Sequence, residues 1–414
     1  MVNLLLLPHP HTPDKTPLLG HTKQKSGRDR MLQERKYWLG WSQVAGVGPI
    51  LVDRLQQRFG SLEAAWNADA QALLSIDRVG NQSLSKIVAA RAKIDPDKLL
   101  ITHSISNPHW WARSDADYPR LLSEIPSAPS ILYYRGKVVI AENYGTTPGI
   151  AIVGTRDPSD YGRRWARKIS SCLASKGFTI VSGMAQGVDT EAHRACLEAG
   201  GRTIAAVGTG VDLVYPPRNQ NLWADIQQHG LIVSEYVAGT PPDRTHFPAR
   251  NRIIAGLSRV TIVIEAPTRS GALITAYQAN DFSRDVYVLP GSLDNPNALG
   301  CLGLLSRGAQ PILGLDHLLE LLAAIPLLNS SSQLQLFPSS PQAASQPASQ
   351  LKTLPPPDLD EDLRQVWLVV TDEPISFDEI VVKSQLPTAM VSGILLQLEL
   401  LELVNQLPGM RYQR

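Results

Sequence analysis

Between residues 149 and 313 the chain alternates two kinds of pattern. Short apolar runs rich in β-branched residues (GIAIVGTR, FTIVSG, RTIAAVGTG, LIVSEY, VTIVIEAP, DVYVLPGS) are separated by amphipathic stretches over residues 161–176, 188–199, 219–229, 251–257 and 273–282. Runs that are apolar at every position, rather than at every second one, predict strands buried on both faces. Their alternation with helices predicts a parallel sheet covered on each side. The expected fold is α/β: an extended, Rossmann-like, doubly wound sheet of six or seven strands.

The flanking regions are patterned differently. Residues 31–105 have helical periodicity, and VAGVGPILVDRLQQRFGS and IDRVGNQSLSKIVAAR each set a glycine turn before an amphipathic helix. AGVGPILVDRL resembles a helix-hairpin-helix, whose turn amides can hold a phosphate at a helix N-terminus. The second turn lacks the GxG, and both turns serve equally well inside a small packed, SAM-like helical domain. Residues 358–414 read as three helices (EDLRQVWLVV, SFDEIVVKSQ, PTAMVSGILLQLELLELV) and a small wing, VNQLPGMRYQ, which together make a winged helix. Residues 1–30 are rich in Pro, His, Thr and Lys and predict a disordered tail, and the Ser/Gln/Pro tract at 326–357 predicts a linker. The Rossmann-like domain then spans 106–325 with the segment that leads into it.

Composition narrows the function. The formal net charge of the 414 residues is +1, so any nucleic-acid contact must be concentrated in one place. Residues 149–313 hold 16 Lys and Arg against 13 Asp and Glu, a balance of +3, and only Lys168 and Lys176 of the 16 are lysine. Arginine suits bidentate phosphate contacts and stacking on bases. Cys172, Cys196 and Cys301 form no CxxC and fit a reducing compartment. No stretch reaches the roughly 18 apolar residues of a membrane span, and MVNLLLLPHPH has no basic region before its apolar run. A cytoplasmic protein without a membrane partner is expected.

The candidate chemistry gathers at the strand ends, where ligands bind in such folds. Those ends read GTR (154–156), SGMAQG (182–187), GTG (208–210), APTRSG (266–271) and PGS (290–292), joined by Arg156, Arg250, Arg252 and Arg269. Glycine lets backbone amides face outward and the following helix adds its positive end, so the row predicts an anion-binding rim. GTRDPSDYG is not GxGxxG and no GxxxxGK[ST] occurs, which argues against a dinucleotide cofactor and a P-loop; no cofactor is expected. Asp189, Glu191 and His193 in VDTEAHRA are the nearest approach to a catalytic or metal cluster. Asp189 is well placed as an N-cap, however, and no further ligand stands at useful spacing, so neither a catalytic residue nor a metal is assigned. Glu235 and Glu265 are expected to accept hydrogen bonds from loop amides or arginines. In FPARNRIIAGLS, Phe247 either stacks on a base or anchors the loop under the sheet edge, and Arg252 either faces the ligand or braces the fold against Glu265. Pro248 and the arginines are expected to close a loop over the rim.

Taken in order, IAIVGTRDPSDYG, IVSGMAQGVDTEAHRACLEAGGRTIAAVGTGVDLVYPPRN, VSEYVAGTPP, FPARNRIIAGLSRVTIVIEAPTRSGALITAYQAN and VLPG resemble the DprA/Smf family of DNA-processing proteins, as does DADYPRLLSEIPSAPSILYYRG upstream. The resemblance covers residues 38–312. It implies a non-enzymatic protein that binds single-stranded DNA, protects incoming strands in natural transformation and loads the recombinase RecA, acting as a homodimer formed through the Rossmann domain. It also implies DNA contacts at Gly154, Thr155 and Arg156, at Ser182 and Gly183, and at Arg250 and Asn251. Phe247, Arg252, Arg269, Ser270 and Gly271 complete the expected phosphate-binding set. In ALGCLGLLSRGA, Ala298 and Leu302 stand where the family has Ser and Asn, which removes two polar side chains from that end of the rim.

Two other readings remain open. Nucleotide-processing phosphoribohydrolases share glycine-loop rims, but their PGGxGT is absent and APTRSGALIT stands at the comparable strand end. An interaction scaffold would use the tail, linker and winged helix. The winged helix holds 4 Arg and Lys against 10 Asp and Glu, a balance of −6, and its third helix has no basic residue. A protein-contact or regulatory module is therefore expected there rather than a DNA reader.

Overall fold

The structure, a computed structural model, describes residues 27–323, 360–371, 373, 375–401, 403–407 and 411–414. The first 26 residues of the expected tail and the whole expected linker lie outside these. The chain divides into two compact units, residues 1–335 and 336–414.

The first unit is built on a nine-stranded sheet: β1 (Trp110–Ala112), β2 (Ile131–Gly136), β3 (Gly149–Val153), β4 (Thr179–Ser182), β5 (Thr203–Ala206), β6 (Leu231–Ser234), β7 (Val260–Val263), β8 (Asp285–Val288) and β9 (Gln310–Pro311). Their order is β1-β2-β6-β5-β4-β3-β7-β8-β9. Strands β3 to β9 are mutually parallel, whereas β2 pairs antiparallel with β6 and β1 antiparallel with β2. The six apolar runs in the sequence are thus β3 to β8. The two antiparallel strands and the short β9 exceed the expected six or seven, because the segment leading into the domain joins the sheet instead of merely preceding it.

The continuous apolar runs supply two cores at once. Along β3, Ile150 and Ile152 face a cluster with Ile169, Leu173 and Ala192, while Ala151 and Val153 face one with Ile253, Ile254 and Leu273. This is the two-residue period of a strand applied to a sheet with helices on both sides. All four of these β3 residues are buried.

The helices Pro49–Phe59 and Asn81–Arg91 follow two turns of the same shape. Gly48 and Gly80 both have φ −92, with ψ 176 and 174. Two residues earlier, Gly46 (φ 86) and Arg78 (φ 70) both take the left-handed conformation. The turn without a GxG is therefore a true copy, in which Arg78 accepts the strain that glycine avoids. The helix before them, Gly27–Ser42, packs on the sheet and brings Pro49–Phe59 with it. Trp38, Trp41 and Leu55 share one apolar cluster with Trp110, Val207 and Trp223, Arg113 pairs with Asp53 at 2.5 Å, and the Arg35 guanidinium lies 4.0 Å over the Trp110 ring.

In the second unit, helices Glu361–Val369, Phe377–Ser384 and Thr388–Leu400 accompany a small sheet of order β10-β12-β11, where β10 (Ile375–Ser376) falls between the first two helices and β11 (Asn405–Leu407) and β12 (Arg411–Gln413) follow the third. Val366, Ile380, Val391, Leu395, Leu398 and Val404 form its core. The arrangement is a winged helix, as the sequence predicts.

Candidate nucleic-acid interface

From β3 the chain builds outward through β4, β5 and β6, then returns to the other side of β3 as β7. The strand order therefore reverses between β3 and β7, the place where open α/β sheets bind ligands. A cleft of about 670 Å³ lies there. The loop after β3 forms one wall (Gly154, Thr155, Arg156), the loop after β7 and its helix another (Pro267, Ser270, Gly271, Ala272), and the His246–Gly256 helix crosses between them with Phe247, Arg250 and Asn251.

That helix begins five residues earlier than the apolar periodicity indicates. Phe247, Pro248 and Arg250 therefore sit in its first turns and do not close a loop over the rim. Pro248 is compatible because the first turn of a helix has no backbone acceptor for its N–H. Phe247 packs near Gly208, where an added Cβ would meet its ring at 3.1 Å. The ring is half-buried, 5.4 Å from Tyr215 and 5.8 Å from the Arg156 guanidinium.

The glycines act first as spaces. At Gly154 a Cβ would stand 2.6 Å from Val188 Cγ2 and 2.9 Å from Glu265 O. At Gly187 (φ 89) it would stand 2.5 Å from the carbonyls of Thr155 and Arg156. The loops after β3 and β4 are thus pressed together, with Val188 N donating to Thr155 O at 3.2 Å. Asp189 does not cap the helix that follows; Gly187 is its N-cap. The Asp189 Oδ2 instead accepts from the amides of Gly183 and Ala185 at 3.1 and 3.3 Å and fixes the SGMAQG turn.

Three arginines line the cleft, Arg156, Arg244 and Arg250, against one acid, Asp189. Arg156 and Arg244 are exposed. Arg250 is only 4% exposed. Its Nη1 donates to Gly183 O at 2.6 Å and to Ala206 O, and its Nε leans toward Asn251 Oδ1 at 3.4 Å. Among the described residues no carboxylate lies within 4 Å of it. Burial pulls its pKa from 12.5 down to about 10, an effect that Asp189 opposes and Arg156 reinforces. A buried cation without an ion-pair partner, on the wall of a cleft, is a built receptor for an anion.

Not every expected residue meets here. Gly154, Thr155, Arg156, Phe247, Arg250, Asn251, Ser270 and Gly271 line the cleft. Ser182 is fully buried and donates to Ile152 O at 2.6 Å. Gly183 lies beneath the Arg250 guanidinium, leaving no room for a Cβ. Arg269 is exposed outside the cleft wall. Arg252 points away, donating from both terminal nitrogens to Glu235 at 2.6 Å. Its brace is thus Glu235 and not Glu265, which accepts from the amide and hydroxyl of Ser159 at 2.8 and 2.5 Å. The third residue group also disperses. Glu191 pairs with Arg167 at 2.5 Å, and His193, held neutral by burial that lowers its pKa to about 3, bonds Thr203 through Nδ1 at 2.7 Å. Sequence reasoning passed over Arg244 and Tyr215. Arg244 stands three residues before Phe247, a spacing that becomes a signal only once the helix is known to start at His246.

An open, mostly parallel α/β sheet with an arginine-lined cleft at its switch point, in a chain that also holds a winged helix, defines a protein of the Rossmann-like class. The model of the family described as DNA recombination-mediator protein A matches residues 109–323, and that of the DprA winged helix domain matches 350–410. The chain belongs to this DprA/Smf family. It is 49% identical to Protein Smf of Synechocystis sp. over 92% of this chain and 99% of that one, and 34% identical to Protein Smf of Escherichia coli over 73% and 76%. Among solved structures, the DNA processing protein A of Streptococcus pneumoniae aligns with a TM-score of 0.61 at 34% identity, over 69% of this chain and 97% of that one. Among the described residues no helix is long and apolar enough to cross a membrane.

Proposed function

We propose that this protein binds single-stranded DNA through the cleft between β3 and β7, without catalysis, and hands the strand to a RecA recombinase. The observation that carries the reading is Arg250, buried, unpaired by any acid and set on the cleft wall. Arg156 and Arg244 extend the positive charge to the mouth, where Phe247 and Tyr215 offer aromatic faces. Phosphate contacts of this kind are indifferent to sequence, and stacking accepts any base. The open mouth, with Tyr215 exposed and Phe247 half-buried beside it, favours unpaired bases over a duplex. Family membership supports a role in recombination or in protecting incoming strands, and a homodimer formed through the Rossmann domain is part of the same reading.

The test is equilibrium binding of a labelled oligothymidylate and of a duplex of equal length across a series of salt concentrations. The expected result is preference for the single strand, with affinity falling steeply as salt rises. Equal binding of the duplex, or affinity indifferent to salt, would overturn the reading. Acceleration of RecA assembly on strand coated with single-strand-binding protein tests the hand-over, and light scattering tests the dimer.

A further inference from the structure

The cleft contains an acid where an anion receptor has no obvious use for one. Asp189 is 6% exposed, lines the cleft, and is the one carboxylate among its wall residues. Its Oδ2 is committed to the amides of Gly183 and Ala185. Arg250 in turn donates to the carbonyl of that same Gly183 at 2.6 Å. Carboxylate and guanidinium therefore hold the same residue, one at its amide and the other at its carbonyl, without an ion pair between them. In the empty cleft Asp189 offsets part of the Arg250 charge through space. An entering phosphate supplies that offset more directly and places a second anion in the same poorly hydrated volume.

We propose that Asp189 is the exchangeable counter-ion of this cleft: it is ionised while the cleft is empty and takes a proton from the buffer when a phosphate of the strand settles against Arg250. The inference rests on the reading of the cleft as the strand-binding site. The balance is simple, since one carboxylate and one buffer acid become a carboxylic acid and the buffer base, and the phosphodiester stays anionic. Two like charges near one cation in a low-dielectric site cannot both be retained without cost, and the group that can be neutralised is the carboxylate.

The surroundings leave Asp189 as the group able to respond. Arg250 faces it from the His246–Gly256 helix, and Arg156 and Arg244 stand elsewhere on the cleft wall. On its own helix, Glu191 is paired with Arg167, and His193 is held neutral through this pH range by burial, with its Nδ1 bonded to Thr203. Ser182 and Thr190 are neutral, and His246 is bonded through Nδ1 to Gly208 O at 3.1 Å. Burial pushes the Asp189 carboxyl up to about 6, so it is mostly ionised at pH 7 yet within reach of protonation.

The experiment is titration calorimetry of the full chain with oligothymidylate at pH 7, in two buffers of different ionisation enthalpy, repeated with Asp189→Asn. The expected result is uptake of up to about one proton per bound site, with affinity falling by up to about tenfold per pH unit above pH 6. The Asn variant, which keeps an acceptor for the two amides, should take up no proton at this site and should bind at pH 8 with an affinity near that of the unsubstituted protein at low pH. Measurement on the unsubstituted protein alone keeps the test valid if the variant folds poorly. Binding without proton uptake overturns this inference and leaves the strand-binding reading intact, and so does uptake that persists unchanged in the variant. Absence of binding at every pH overturns both.

Discussion

Replacing Arg250 with Met separates what this residue does for the fold from what it does for the ligand. Met preserves much of the apolar stem and removes the charge and donors. Two opposing contributions set the stability change. The fall in pKa from 12.5 to about 10 corresponds to roughly 3 kcal/mol of unfavourable burial at 1.4 kcal/mol per unit, which the variant recovers. The two charge-assisted bonds to Gly183 O and Ala206 O contribute about 1.5–3 kcal/mol each, and the variant loses them. The difference is therefore between nil and about 3 kcal/mol of destabilisation. Water from the adjoining cleft can solvate the freed carbonyls and keep the loss toward the lower figure.

Binding has no such compensation. Removing one partner of a buried charge pair costs about 2–5 kcal/mol, or roughly 30-fold to several-thousand-fold in affinity. Arg250→Met should thus melt within about 12 °C of the parent and bind oligothymidylate at least 30-fold more weakly, measured by fluorescence anisotropy alongside thermal unfolding. A variant that folds and binds within threefold of the parent would refute the assignment of Arg250 as the anion receptor.

Arg156→Ala, at an exposed position on the rim, should weaken every sequence about equally and reduce the slope of log affinity against log salt by about one, read from binding isotherms at several salt concentrations. Glu235→Ala should leave the half-buried Arg252 without its carboxylate and cost about 1–3 kcal/mol of stability while affinity stays within a few-fold, which thermal unfolding and anisotropy distinguish. Asp189→Asn tests a folding linkage as well. The folded pKa of about 6 lies above the ordinary 3.8, so the stability Asp189 contributes is full below pH 4 and lost as pH rises through 6, by about 3 kcal/mol. The melting temperature of the variant relative to the parent should therefore climb between about pH 4 and 6 and level off by pH 7, and a fall would contradict the sign. Removing residues 358–414, which carry the −6 balance of 4 basic and 10 acidic residues, should change strand affinity by no more than a few-fold. A collapse of affinity would make the winged helix a DNA reader after all.

Strand positions and sheet type were legible because they depend on local pattern: a run buried on both faces lacks charged residues along its length, as β3 to β7 do. The glycine rim was legible too, although the reason was only half visible. Gly154 and Gly187 are required chiefly because neighbouring loops leave no room for a Cβ, a contact between chain segments that no local rule reports. Arg252 shows the limit more sharply. Glu235 and Glu265 both close a strand with the same residue type, and only the order of β6 and β7 in the sheet, with three strands between them, decides which one the arginine reaches.

Arg250 and Arg252 stand two residues apart and looked alike, yet the helix turns them to different faces. One finds a carboxylate, and the other finds two carbonyls, from the loop after β4 and the end of β5, 67 and 44 residues away. Backbone carbonyls carry no residue identity, so this second environment leaves no trace in composition or spacing. It is also the less stable of the two, since carbonyls offset a buried charge only in part. A fold under no other demand would have paired Arg250 as it paired Arg252. That it did not, at the one of the two that faces the cleft, with Asp189 offsetting the charge only through space, is the physical reason to assign the direct partner of Arg250 to the ligand.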